Sequence, residues 1–528
     1  MKTKDILAIL LLGIIFSIGF LLRIWDFGVH PAGLNQDEAS IAVEAASLYS
    51  FGADRNGQSY PVHFISWGSG QNTLYAYLLL PFVPLGMTPS VIRFPMLFTG
   101  LISIVLIYLI GRKIFSPLTG VFAASLLAIS PWHVMLSRWA LESNILPFIF
   151  MLGFLCVIRF DRGWQWLSAG CVFLGLSLYA YGTAYLLVPL FLLWSFGIIL
   201  MRRRYPWWQL GICLLLFLLV AFPIGLFVAV NSFSLADLHI GPISIPRLPA
   251  DPRYEVLTGV AHGGSTLAFY VMNAYALVRL LFFQTDGFIY NSLPKSGLLF
   301  PGAILFALFG MGRILQNWKN ARSPQLLMFL GWVGLALLIG MVQPPVVNRI
   351  NVLFPCLILL VAWAFEGLWH NSKAIFWSVA VGLVMFTTLF ARDYFKTEYR
   401  EEAGRAFAEG FIPALQRIPA QSDIPVCVIT PINMPYIFVL LVHPEDPSVI
   451  AQKIHYVTQR DAFRVVDQYG NYYFDLSSCP STFRKYIIAK HGQEVISNTL
   501  ANYYFVEEYG YFDLYVPMDI WEENQYRE

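Results

Sequence analysis

The sequence predicts an all-α polytopic membrane domain followed by an α/β domain exposed to water. Hydrophobic residues make up 57% of the chain and charged residues 12%, with a mean hydropathy of +0.61. That is more apolar surface than one soluble core of this length can bury. Apolar runs close to the ~20 residues that cross a bilayer recur as far as Ala391, and short β-rich runs replace them after Asp393.

The first run, Ile6 to Trp25, follows Lys2 and Lys4 and has no small-residue cleavage site after it, so it reads as an anchor rather than a signal peptide. Later spans are expected at Val91 to Ile110, Leu118 to Met135, Ile145 to Phe160, Trp166 to Tyr181, Tyr185 to Met201 and Leu210 to Val230. They continue at Leu298 to Ile314, Leu326 to Val342, Ile350 to Leu368 and Ile375 to Ala391, for a total of about eleven. With the N-terminus cytoplasmic, the short inner loops Gly111 to Lys113, Arg159 to Arg162, Met201 to Arg204, Gly312 to Arg322 and His370 to Lys373 all carry Lys or Arg. The odd count then puts the C-terminal segment outside the cell membrane.

This divides the chain into a membrane domain, 1–392, with outer segments at about 26–90 and 231–297, and an extracytoplasmic domain, 393–528. Within the first outer segment, Asn72 to Leu85 is apolar, short and interrupted by Pro81 and Pro84, as expected of an interfacial helix. In the second, the Pro-rich stretch Gly241 to Pro252 precedes Leu267 to Phe283, which suits either another interfacial helix or a further span. The tail opens with Glu398 to Ile418, where Ala403, Phe407, Phe411 and Leu415 recur every four residues and predict one amphipathic helix. Strands are expected at Val426 to Thr430, Phe463 to Asp467, Tyr472 to Leu476, Tyr486 to Ile488, Tyr503 to Glu507 and Phe512 to Val516.

Cys156, Cys171, Cys213 and Cys356 fall in spans as small apolar fillers, whereas Cys427 and Cys479 lie in the outer domain and can pair or stay reduced there. A net charge of +2 supplies no basic field for nucleic acid. His30, His63, His133 and His262 lack ligand spacing. Interfacial belts account for many of the aromatics; Trp67, Trp132 and Trp139 stand nearest the chemistry described next.

Asp37 and Glu38 form an acidic pair soon after the first span. Asn35 followed by Glu38 fits a capping box on a helix from Gln36 to Ser50 that stops at Gly52, which gives Glu38 a structural task. Neighbours on a helix diverge by ~100°, so Asp37 is left to meet something else. A carboxylate at headgroup level is placed to take a proton from an acceptor hydroxyl. Arg93, Arg138 and Arg349 sit at outer ends of spans, against the positive-inside trend, where a guanidinium can grip phosphate. Each can also snorkel, or, for Arg138 and Glu142, form a helical ion pair. Arg23, inside the first span, needs a partner such as Asp26 or a lipid phosphate.

The order Asp37-Glu38-Ala39, then Arg93-Phe94-Pro95 opening a span that closes in Ile110-Gly111-Arg112-Lys113-Ile114-Phe115, then Ser137-Arg138-Trp139-Ala140-Leu141-Glu142, resembles the GT-C superfamily of polyprenyl-phosphate-sugar-dependent glycosyltransferases. Its members include protein O-mannosyltransferases and the lipid A aminoarabinose transferase. The resemblance returns at Phe282 to Gly302 and Asn348 to Pro355, while Gly70 to Tyr75 replaces the family's Lys/His-Pro-Pro-Leu-Tyr-like stretch.

The resemblance implies a GT-C fold and transfer of a sugar from a lipid phosphate carrier to a protein, lipid or glycan acceptor outside the cytoplasm. It assigns Asp37 as base and Glu38 as the second acid. The two are also placed to share a divalent cation. Arg138, Arg349 and Arg93 are the expected phosphate ligands, with Glu142, Asp286, Tyr290, Lys295 and Trp67 as substrate contacts. A single displacement inverts the anomeric configuration. The rival readings are a transporter or flippase of lipid-linked glycan, and a non-catalytic envelope-assembly protein.

Overall fold

The computed structural model describes residues 3–250, 266–318, 323–420, 422–457, 463–482, 484–493 and 504–525. Lys2, Pro252, His262, Arg322 and Tyr503 lie outside the described residues. Among the described residues, six helices are long and apolar enough to cross a membrane: Pro89–Ile114, Ala184–Met201, Trp207–Ser232, Pro324–Val342, Asn351–Asn371 and Lys373–Tyr394. The first expected span is the continuous helix Thr3–Ile24, and the remaining ones are helical but shorter or interrupted, as in Pro117–Ile129, Leu146–Ile158, Trp164–Ser177 and Ala303–Gln316.

Two interruptions have local causes. The expected helix Leu118 to Met135 breaks at Ser130, whose backbone is extended, because Pro131 disfavours a helical residue before it. The expected start at Leu298 moves to Ala303 because Pro301 and the left-handed Gly302 precede it. Glycines let the bundle close: a Cβ on Gly120 would meet the Tyr108 carbonyl at 2.6 Å, so the Pro89–Ile114 and Pro117–Ile129 helices touch backbone to backbone.

Backbone hydrogen bonds join segments 26–90, 231–250 and the tail. The amide of Val62 donates to Ser244 O, that of Ala250 to Gly68 O, and that of Arg464 to Trp67 O. Asn72 stands on a short strand pairing Gln71–Asn72 with His63–Phe64, so within Asn72 to Leu85 only Leu74–Leu79 and the 3-10 turn Leu80–Leu85 are helical. The apolar piece after 265 forms the helix Thr266–Phe283.

Among the described residues, the tail carries a seven-stranded mixed sheet, in the order Tyr504–Tyr509, Phe512–Pro517, Tyr486–Lys490, Val426–Ile429, Tyr472–Tyr473, Val466–Tyr469, Ile454–Tyr456. The Val426–Ile429 strand runs parallel to both of its neighbours, and the Ile454–Tyr456 strand was not expected from the pattern. Cys427 and Cys479 form a disulfide. The amphipathic run is two helices, Thr397–Ala406 and Phe411–Gln416, not one. Between them Gly410 has φ +91°, and a Cβ there would meet the Tyr509 carbonyl. A Cβ on Gly33 would likewise strike the Phe407 carbonyl, so docking of the tail against the first outer segment breaks the helix that periodicity alone would continue.

Candidate active site

The acidic pair opens the Gln36–Phe51 helix. Asn35 Oδ1 accepts from the Asp37 amide at 3.0 Å, Glu38 Oε2 accepts from the Asn35 amide at 3.1 Å, and Gly52 closes the helix in the left-handed region. The capping box is therefore formed as the spacing predicts.

Glu38 does more than cap. Its buried carboxylate receives Arg93 in a two-pronged bond, Nε to Oε1 and Nη2 to Oε2, both 2.8 Å, and Oε1 also accepts from the Ala140 amide at 2.9 Å. Arg93 in turn donates to the carbonyls of Pro31 at 2.7 Å and Gly33 at 2.8 Å. One buried ion pair thus ties the start of this helix to the Pro89–Ile114 helix and to the Trp139–Glu142 segment.

Asp37 points elsewhere, onto a cavity of about 440 Å³ whose wall includes Trp67, Trp139, Glu142, Tyr290, Arg349 and Arg405. Trp67 Nε1 donates to Asp37 Oδ1 at 3.3 Å. Glu142 Oε2 accepts from the Asn72 amide at 2.6 Å, which fixes the short strand beneath Trp67. Burial, together with the negative charges of Asp286 and Asp37, pushes the Tyr290 phenol up to about 12, so it meets the cavity as an O–H donor. Neither Arg349, which is half-buried, nor Arg405, which is exposed, forms an ion pair among the described residues. The cavity therefore combines one carboxylate suited to accept a proton with two cations.

Trp67 is held from behind. The Arg55 guanidinium lies 4.8 Å from its ring and 6.0 Å from the Tyr436 ring of the tail, and pairs with the buried Glu44 at 3.2 Å. Arg55 also donates to Ser40 Oγ at 2.8 Å, which donates to Gln71 Oε1 at 2.9 Å. Next to Glu44, burial and that carboxylate push the Asp54 acid up to about 8.

The structure brings together Asp37, Trp67, Glu142, Tyr290 and Arg349 around one cavity, but it does not bring the other expected residues there. Arg138 is buried away from the cavity and donates to the carbonyls of Arg23 at 2.7 Å, Asp26 at 3.0 Å and His30 at 3.0 Å. It closes the end of the first helix, a site that favours a cation, and does not line the cavity. Arg93 is likewise committed to Glu38. Both oxygens of Glu38 face that guanidinium, so a cation shared with Asp37 does not fit the arrangement.

Asp286 accepts from Asn291 Nδ2 at 2.6 Å and the Val347 amide at 3.0 Å, shaping the loop that carries Tyr290 and bracing the one that carries Arg349. Lys295 is exposed on a turn and does not line the cavity. Arg23 is wholly buried and does not pair with Asp26. It bonds Ser137 Oγ, His133 Nδ1 and the carbonyls of Gly19, Leu127 and Ala128. Arg405, Asn348 and Tyr181 were missed; Arg405 sits among the charges of a surface-type helix and carries no signal of its own in the sequence.

Residues 71–222 match the dolichyl-phosphate-mannose-protein mannosyltransferase family, a stretch that begins after Asp37 and ends before Arg349. A comparison with curated proteins found no match. Among solved structures, ArnT from Cupriavidus metallidurans bound to undecaprenyl phosphate aligns with a TM-score of 0.58 over 98% of this chain and 98% of its own, at 12% identity. The Archaeoglobus fulgidus oligosaccharyltransferase tethered to an acceptor peptide aligns with a TM-score of 0.52 over 83% of this chain, at 14% identity. The chain spans only 63% of that protein's length, and 64% of the same enzyme in its apo form. The chain is therefore an integral membrane protein of GT-C fold that resembles the protein O-mannosyltransferases and the lipid A aminoarabinose transferase.

Proposed function

We propose that this protein transfers a sugar from a polyprenyl-phosphate donor to an acceptor on the extracytoplasmic side, by a single inverting displacement. The observation that carries the reading is Asp37, a carboxylate on the wall of a cavity that also holds Arg349 and Arg405. Asp37 takes the proton of the acceptor nucleophile as that nucleophile attacks the anomeric carbon. The bond from that carbon to the phosphate oxygen breaks, and the departing phosphate carries its charge into the two guanidinium groups. Because phosphate leaves as a stabilised anion, no matched general acid is required. Arg405 replaces Arg138 and Arg93 in this assignment, which brings the tail domain into the donor site.

The disulfide between Cys427 and Cys479 supports an oxidising, extracytoplasmic setting for the tail. The undecaprenyl phosphate named with ArnT and the acceptor peptide named with the oligosaccharyltransferase support a lipid-phosphate donor and a macromolecular acceptor as classes. The test is Asp37→Asn in membranes supplied with polyprenyl-phosphate sugars. The reading requires transfer to fall by at least ~100-fold, the low end for a general base, with undecaprenyl phosphate still bound. Arg349→Gln and Arg405→Gln should each weaken that binding. Transfer at the parent rate by correctly inserted Asp37→Asn protein would sink the mechanism.

A further inference from the structure

Asp37, Ser40 and Glu44 are spaced by three and four residues on the Gln36–Phe51 helix, so their side chains share one face. One guanidinium spans that face. Arg55 pairs with Glu44 Oε1 at 3.2 Å and donates to Ser40 Oγ at 2.8 Å and to Ser66 Oγ, on the residue before Trp67, at 3.4 Å. Its amide adds a bond to Glu44 Oε2 at 3.0 Å, which fixes the backbone from which the side chain reaches. With its donors committed to these acceptors, the planar group still has a face to offer, and the Trp67 ring centre lies 4.8 Å from it. Arg55 does not itself line the cavity. A structural ion pair needs only Glu44; the bonds to Ser40 and Ser66 tie Arg55 to the helix that carries Asp37 and to the segment that carries Trp67.

The tail domain holds the same indole. Tyr436, which opens the Tyr436–Val442 helix, meets the Trp67 ring in a T-shaped contact with centroids 6.2 Å apart and lies 6.0 Å from the Arg55 guanidinium. The Arg464 amide donates to Trp67 O at 2.8 Å, beside a bridge between Phe463 and Gly68. Trp67 is thus fixed at its carbonyl by the tail and at its ring by Arg55 and Tyr436. The contact that this frame serves is sensitive to displacement. Trp67 Nε1 reaches Asp37 Oδ1 at 3.3 Å, beyond the ~2.9 Å of a well-formed N–H···O bond, and a drift to about 3.6 Å would end it.

We propose that Arg55 and the tail's Tyr436 are positioning residues that hold the Trp67 indole so that its N–H orients the Asp37 carboxylate for proton transfer; this rests on the transferase reading above. Neither touches substrate. The tail domain is then part of the support of the base, and its docking affects turnover rather than donor affinity.

The test joins kinetics to a spectroscopic readout on the full-length protein. In membranes supplied with undecaprenyl-phosphate mannose, glucose and galactose, Arg55→Lys, which keeps a charge for Glu44, and Tyr436→Leu should each lower kcat by about 3- to 10-fold, part or all of one bond to a charged group. Donor KM, and undecaprenyl phosphate affinity in nanodiscs, should stay at parent values. Tyr436→Phe, which keeps the ring, should recover most of the loss. In a Trp67→Phe background the same substitutions should change kcat by less than about 2-fold, because the N–H through which they act is gone. In nanodiscs with nitrogen-15 tryptophan, the Trp67 indole resonance, identified by its absence from Trp67→Phe, should shift in both variants in the direction it takes in Asp37→Ala. Losses that persist undiminished in the Trp67→Phe background, or an unmoved indole resonance in folded Tyr436→Leu protein, overturn the positioning role while the transferase reading stands. If Arg55→Lys does not fold, Tyr436→Leu decides alone. Parent-rate transfer by Asp37→Asn, or a parent that transfers none of the three sugars, removes the transferase reading and this inference together.

Discussion

Removing Arg93 should unfold the start of the Gln36–Phe51 helix rather than empty a phosphate site. The Arg93–Glu38 pair is wholly buried at 2.8 Å, where two unit charges at an effective dielectric constant near 20 attract by about 6 kcal/mol. Much of that offsets desolvation, but removing one partner leaves the other charge buried and alone, at a cost of about 3–5 kcal/mol. Arg93→Met should therefore lower the thermal midpoint in detergent by on the order of 10 °C. Glu38→Gln should do less, because its one carbonyl oxygen keeps an acceptor for either the Asn35 or the Ala140 amide, which bond separate oxygens of Glu38. The double variant should be clearly more stable than the sum of the two losses, since no orphaned charge remains. A thermal-shift series on the four proteins, with undecaprenyl phosphate affinity measured beside it, decides between the roles. A parent-like midpoint for Arg93→Met together with lost lipid-phosphate affinity would refute this account and return Arg93 to the donor site.

Three other outcomes are expected. Trp67→Phe removes the N–H that meets Asp37 at 3.3 Å and should slow turnover by roughly 10-fold with little change in KM, since a bond to a charged group contributes about 1.5 kcal/mol at this length; steady-state kinetics separates the two constants. Serine at both Cys427 and Cys479 opens a loop of 52 residues and should destabilise the tail by about 4 kcal/mol, read by protease sensitivity of the C-terminal domain. Asp54, held near 8 by burial and by Glu44, stays protonated in the folded protein where the unfolded chain has lost its proton. Its contribution is therefore present below the ordinary carboxyl range and lost as pH rises toward 8. Asp54→Asn, which keeps the acceptor for the Asn56 and Gln58 amides, should raise the thermal midpoint at pH 8.5 by roughly 2–4 °C and leave it unchanged near pH 4.

The sequence by itself determined what local chemistry can encode. Apolar runs set helices against a bilayer, Asn35 and Glu38 set a capped helix start, and the order of short motifs carried the GT-C resemblance. Asp37 was separable from Glu38 because adjacent helical residues face different directions. Tertiary structure decided the rest, for a physical reason: a buried guanidinium reads the same in sequence whether it meets a carboxylate, a helix end or a phosphate. Arg93 went to Glu38, Arg138 to the end of the first helix, and only Arg349 reached the cavity. Arg405 arrived from the tail because docking against Gly33 and Tyr509 broke a helix whose periodicity was unbroken. Long-range partners of this kind leave no local pattern, so Asp37 and Arg349 were legible as candidates and Arg405 was not.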